Sequence, residues 1–305
     1  ILSTNTARLG MAIDTATPSE VNLVVTGAAG DLRWNGTTNG VWQYDVFPNW
    51  YDIPGLTPGL VFRDFDRVRF DDTVGVTTTV AVTGTVLPGA VVVENSTNAI
   101  TLAGAGRISG LTGITKLGTS VVTVSTSGGN DYTGPVLVSQ GVFRVGVNAA
   151  LGKSAGVTVA AGAKVDLNGV SQAGQSYAYS IAGVGPDGSG ALFNAAANIG
   201  ANSGVTGLTL AADAAIGMWG PTNTDVSRVD VCLGGWLNGG GYTLTKIGGG
   251  PLGLRGVASN LAAVVVSNGF LFSESVDDSW GTNLVVESAS RIGMYNNRRT
   301  TAAIL

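Results

Sequence analysis

Histidine is absent from all 305 residues, cysteine occurs once, and charged residues make up only 12% of the chain. Each shortage closes off a class of chemistry. Without histidine there is no Ser-His-Asp or Cys-His nucleophilic system and no histidine-ligated zinc. One thiol, Cys232, cannot close an intrachain disulfide, so stability must come from the core, where Cys232 itself is expected to lie. Sixteen Lys and Arg against twenty Asp and Glu give a net charge of −4. No basic stripe is left to neutralise phosphates, which excludes nucleic acid as a partner. Arg67 with Arg69 and Arg298 with Arg299 read as isolated, solvated pairs. No run of 18 apolar residues is present, so no transmembrane segment is expected despite a mean hydropathy of +0.31. Ile1 is preceded by no Met and followed by no leader, as expected after removal of a secretion signal or in a piece of a longer chain.

What the chain has in quantity is glycine, 47 residues, set among Val, Leu, Ile and Thr in a sequence that is 44% hydrophobic. That mixture describes many short strands and tight turns, since disordered tracts are poor in such apolar residues. Runs such as 121–125, 136–138, 157–159 and 164–167 alternate with period 2 and are too short and too β-branched for helices. A weak helical pattern at 191–197 serves equally well as a loop. Glycine pairs fall on irregular links such as Gly128-Gly129, where a sandwich would place hairpin turns. The fold class expected is all-β, a right-handed parallel β-helix. With roughly 22 residues per rung it has about 11 rungs and a length of about 50 Å.

One pattern is written twice. Ile114-Thr115-Lys116-Leu117-Gly118, Val136-Leu137-Val138, Gly141 and Gly152 match Leu244-Thr245-Lys246-Ile247-Gly248, Val264-Val265-Val266, Gly269 and Gly281. Nearly the same offset separates Lys116 from Lys246, Gly141 from Gly269, and Gly152 from Gly281. Such units stack because none buries a core alone. The chain divides into 1–75, an aromatic and acidic segment that caps the first rungs; 76–175, with the first copy; and 176–305, with the second. All three belong to one continuous solenoid.

The first copy, with Asn130-Asp131-Tyr132-Thr133-Gly134 and Ala150-Leu151-Gly152, resembles the autotransporter-associated β-strand repeat of secreted and surface bacterial proteins. Trp34-Asn35-Gly36, Trp42, Trp50 and Val68-Arg69-Phe70-Asp71-Asp72-Thr73 resemble the leader that precedes such repeats. The likeness covers most of 34–295 in short motifs. The second copy has Val257-Ala258-Ser259-Asn260-Leu261 where the first has Asn-Asp-Tyr-Thr-Gly, and no series of barrel strands follows. The resemblance implies a passenger-type solenoid, extracellular or on the bacterial cell surface.

Chemistry has few candidates. Asp64, Asp66, Asp71 and Asp72 are the low-ranking catalytic set, because glycoside hydrolysis needs only two carboxylates and polysaccharide lyases use carboxylates with calcium. Their alternation with Arg67 and Arg69 reads more simply as strand-edge charge pairing. Asp187-Gly188-Ser189-Gly190 and Asn130-Asp131 offer oxygens to calcium but lack a calcium-solenoid period, so no metal site is expected. Gly183-Val184-Gly185-Pro186-Asp187-Gly188 fails as a dinucleotide fingerprint, with a proline inside and no helix after it. No cofactor is expected. Lys116 and Lys246, placed alike in both copies, read as turn-bonding structural residues. Trp34, Trp42, Tyr44, Phe47, Trp50 and Tyr51 read as a plug over the first open rung or as a glycan-stacking surface.

The function expected is a non-catalytic structural or adhesive role, with a glycan or surface partner. The alternatives are a polysaccharide-acting hydrolase or lyase, and a self-assembling subunit that joins through its solenoid ends. Ile1-Leu2 and Ala302-Ala303-Ile304-Leu305 are the apolar residues placed for that joining.

Overall fold

Short β-branched runs become short parallel strands, each bonded to the strand one turn before and one turn after it. The computed structural model describes residues 8–53, 56–73, 79–172, 175–196, 204–218, 229–273, 277–278, 281–288, 290–294, 299–300 and 303–304. Among them there is no helix, and the parallel strands stack into a β-solenoid of about 9 turns. The residues at 191–194 form strand Leu192–Asn194 with the bend before it.

Register shows the stacking directly. Leu32, Val68, Val91, Ile114, Val136, Val157, Tyr179, Leu208, Leu237 and Ala258 pair in succession along one ladder. All ten are buried. A second ladder carries Ile100, Val122, Phe143, Val165, Leu192, Ile216, Lys246, Val266 and Val286. A third side pairs Val229, Leu252, Leu271 and Ile292. Each buried Val or Leu contributes roughly 1.5–3 kcal/mol, so these columns hold the rod together. Nine steps of about 4.8 Å along the first ladder give a length of about 43 Å.

From Val68 to Tyr179 the members of the first ladder follow one another at short and nearly even intervals of sequence. The turns from Tyr179 to Leu208 and from Leu208 to Leu237 are markedly longer. Those two long turns are one reason the rod has fewer rungs than an even spacing would give. They also decide how the two sequence copies lie. Ile114 climbs five turns to Leu237 on the first ladder, while Leu244 sits on the second. The copies are thus five turns and one side apart and do not stack like over like. The stacking unit is the rung, and the long repeat is rotated around the axis.

The first rung ends the stack. Asp31–Trp34 pairs parallel with Arg67–Asp71 on one edge and antiparallel with Trp50–Asp52 on the other. An antiparallel strand there stops further parallel stacking and covers the edge. Beyond it, Leu9–Asp14 and Asn22–Gly27 form a separate antiparallel hairpin.

Corners between sides are held by glycine because successive turns touch there. Gly141 has φ 65°, and a Cβ on it would lie 2.5 Å from the carbonyl oxygens of Gly118 and Ser120. Gly129 has φ 75° with nothing within 4 Å of such a Cβ. Gly129→Ala is therefore expected to cost about 1 kcal/mol of unfolding free energy, the backbone term alone. Gly141→Ala is expected to cost at least about 2 kcal/mol more, since the turns must part. Denaturant unfolding of the two variants checks the difference.

Candidate functional site

The N-terminal aromatic group folds inward. Trp34, Trp42 and Trp50 are buried and packed in edge-to-face and tilted contacts with one another and with Phe62 and Phe70; the Trp34–Trp50 centroids are 4.9 Å apart and the Trp42–Phe62 centroids 5.4 Å. Their indole N–H groups are buried without an acceptor, so ring burial and edge-to-face contact must outweigh that cost. A stacked sugar needs an open ring face, which these three lack. The glycan surface is thereby corrected for Trp34, Trp42 and Trp50: they are core of the capping segment. Tyr44, Phe47 and Tyr51 are half-buried at its margin, where Tyr51 lies under the Arg33 guanidinium.

The four acids do not converge on an open groove with free oxygens. Asp66 is buried and fully engaged: Oδ1 accepts from Arg8 Nε at 2.9 Å and Gly30 N at 2.6 Å, and Oδ2 from Arg63 N at 2.8 Å. Arg8 precedes the hairpin and Gly30 follows it, so one carboxylate clasps both ends. Gly30 must be glycine, since a Cβ there would lie 2.8 Å from that carboxylate. Nothing local announces this contact, which joins residues 58 apart. Asp71 faces outward and bonds the amide and hydroxyl of Thr73. Asp72 accepts the amides of Ser96, Thr97 and Asn98 from the next turn. Burial works against the Asp72 charge, but those three N–H groups hold its carboxyl below the usual range. Asp64 differs. Its Oδ1 is shielded and unpaired, and burial pushes its carboxyl up, opposed by the Leu87 amide and reinforced by Asp66.

The two calcium candidates are tied into the fold, although Asp131 keeps a shielded, unpaired Oδ1 while its Oδ2 faces Arg107 at 3.5 Å. Asp187 takes Lys164 Nζ at 2.7 and 3.0 Å and the Ser189 hydroxyl at 2.7 Å. Burial favours protonation, yet Lys164 and Ser189 outweigh it and hold Asp187 down at about 2. Asn130 Oδ1 accepts from Ile108 N and the Thr126 hydroxyl, standing in for a rung-to-rung bond. No cluster of three metal-ligating side chains occurs among the described residues. The side chain of Cys232, Ile1-Leu2, Trp280, Arg298 and the side chains of 302–305 lie outside them.

Lys116 and Lys246 occupy inward positions in aliphatic columns, Lys116 between Val93 and Val138, Lys246 between Ile216 and Val266. Both are buried. Lys116 Nζ donates to the carbonyls of Leu117 and Gly118, each at 2.5 Å, and approaches Gln140 O at 3.5 Å. Lys246 Nζ donates to Ile247 O at 3.0 Å, Gly248 O at 2.5 Å and Asn268 O at 2.9 Å. Each ammonium pins its own corner to the corner of the next turn. The same clamp works on two different sides of the rod. Burial pushes the ammonium groups down, Lys116 to about 8, where Asp72 offsets part of it, and Lys246 to about 7.

Comparison of the chain with protein families, curated proteins and solved structures finds no match.

Trp42→Ala and Trp50→Ala are each expected to destabilise by about 3–5 kcal/mol, read as a lowered Tm. Asp66→Asn should leave the rod folded but speed limited proteolysis within residues 8–30, because the hairpin loses its clasp. For the lysines the folded pKa lies below the ordinary 10.5. Between about pH 7 and 10 the unfolded chain then binds more protons, so stability rises with pH across that window. No histidine titrates nearby to obscure it. Lys246→Met is expected to flatten that rise and, by leaving corner carbonyls without a donor, to lower stability at pH 7 by about 1–3 kcal/mol. Thermal melts from pH 7 to 9 check both.

Proposed function

We propose that the protein is a non-catalytic structural or adhesive rod, secreted or carried on a bacterial cell surface. The observation that carries this reading is the use of its charged side chains: Asp66, Asp72, Asp187, Lys116, Lys164 and Lys246 all tie one turn or segment to another. Such a molecule works mechanically, through backbone ladders and aliphatic columns that resist bending. The resemblance to autotransporter-associated repeats and the scarcity of chemistry-bearing residues point the same way. The hairpin supplies a surface for contact. Ile13 pairs across it with Leu23 and Met11 with Val25, so these four share one face, and Ile13, Leu23 and Val25 are more than half exposed.

A polysaccharide-acting enzyme is the second reading, and Asp64 alone favours it. A shielded carboxyl with a raised pKa suits a general acid. Its neighbour Asp66 is taken up by three donors, which leaves no free second carboxylate beside it. Incubation with plant, fungal and bacterial polysaccharides, with and without calcium, is expected to release neither reducing ends nor unsaturated uronic acids. Release that disappears in Asp64→Asn would overturn the proposal in favour of the enzyme. Electron microscopy is expected to show rods at least about 43 Å long, the span of the first ladder alone. Sedimentation that depends on concentration would instead support the self-assembling alternative.

A further inference from the structure

Among the described tryptophans, Trp236 is the one that the fold turns outward. It precedes inward-facing Leu237 on the first ladder and is 45% exposed, whereas Trp34, Trp42 and Trp50 are buried. On the outer surface it is in register with Gly207 in the turn before and Ala178 in the turn before that. The indole leans back over Gly207: a Cβ there would lie 3.0 Å from its Cζ2 and 3.4 Å from its Nε1. Glycine therefore leaves the space in which the ring rests. Beside it opens a cleft of about 230 Å³, lined by Ser176, Tyr177, Ala178, Thr206 and Gly235 as well as Gly207 and Trp236. This is also where the rungs lengthen, since Tyr179, Leu208 and Leu237 bound the two long turns.

We propose that Trp236 and the hydroxyls beside it form a carbohydrate-binding subsite, with room for one pyranose ring of a neutral glycan. A sugar offers an apolar face of C–H groups and a rim of hydroxyls, and the cleft offers a flat apolar ring next to hydroxyl oxygens. Ser176 is exposed. Thr206 Oγ1 donates to Gln175 O at 2.8 Å, which leaves its lone pairs to accept from a sugar hydroxyl. Tyr177 is committed inward, its hydroxyl bonded to Gly152 O at 2.7 Å, so it fixes the wall without meeting the ligand through that group. Among the described residues no charged side chain lines the cleft, so the lining favours a neutral ligand over phosphate, sulfate or uronate. The site lies far along the rod from the buried N-terminal tryptophans and stands whether the rod is adhesive or purely structural.

The test is an array of neutral oligosaccharides probed with the whole chain, followed by titration of the best glycan with tryptophan fluorescence and calorimetry. At least one neutral glycan is expected to bind. Trp236→Ala should weaken that binding at least about tenfold with little change in Tm, because the ring is half exposed. Trp236→Tyr, which keeps a stacking ring, should retain most of it, and Trp236→Leu, which keeps bulk without a flat face, should not. Gly207→Val should also weaken binding by displacing the indole. The proposal is overturned if no neutral glycan binds, or if Trp236→Ala and Trp236→Leu bind as well as the unaltered chain.

Discussion

The distance between successive turns, about 4.8 Å, is the constraint from which the rest of this structure follows. Backbone ladders set that spacing, and every side chain must fit it. Inside, residues of similar size have to lie one over another, which the column from Leu32 to Ala258 does with aliphatic groups and a single tyrosine. At the corners the chain passes so close to its neighbour that a Cβ at Gly118, Gly141, Gly248 or Gly269 would meet a carbonyl oxygen within 2.5 Å. The abundance of glycine is thus a consequence of stacking and carries no sign of flexibility.

The buried lysines belong to the same constraint. Corner carbonyls of adjacent turns converge where the strand bonds have ended. An ammonium on a long aliphatic stem meets both needs, since the stem fills the column and the head bonds three carbonyls. Burial lowers the pKa of Lys246, because a charge held there gives up hydration. Asp72, Asn130 and Asp66 do the matching work for amide donors that the ladders leave over.

At the two ends of the architecture different rules apply. The first rung meets an antiparallel strand and a cluster of five aromatic rings, which closes the column by bulk and not by repetition. The hairpin beyond it is fastened at both ends by the Asp66 carboxylate, with Arg8 also bonding Val61 O and Gly30 O accepting from Arg67 N, and it keeps an apolar face open. A proposed adhesive surface at that end and a proposed sugar subsite at Trp236 would place contacts at opposite parts of a stiff support.

From the sequence alone the all-β stacking, the inward alternation and the structural role of Lys116 and Lys246 were legible, because period 2, β-branching and glycine punctuation are local properties. The long repeat that relates Lys116 to Lys246 was visible too, but its meaning was not: only the lengthened turns around Leu208 reveal that the copies lie on different sides. Burial of Trp34, Trp42 and Trp50 and exposure of Trp236 were likewise decided by tertiary structure. All four are equally aromatic as letters, and what separates them is the packing of the first three against one another and against Phe62 and Phe70, while a glycine one turn away gives the fourth an outward seat. The Asp66 clasp joins residues 8, 30 and 66, and no periodicity within a strand encodes a contact made across that distance.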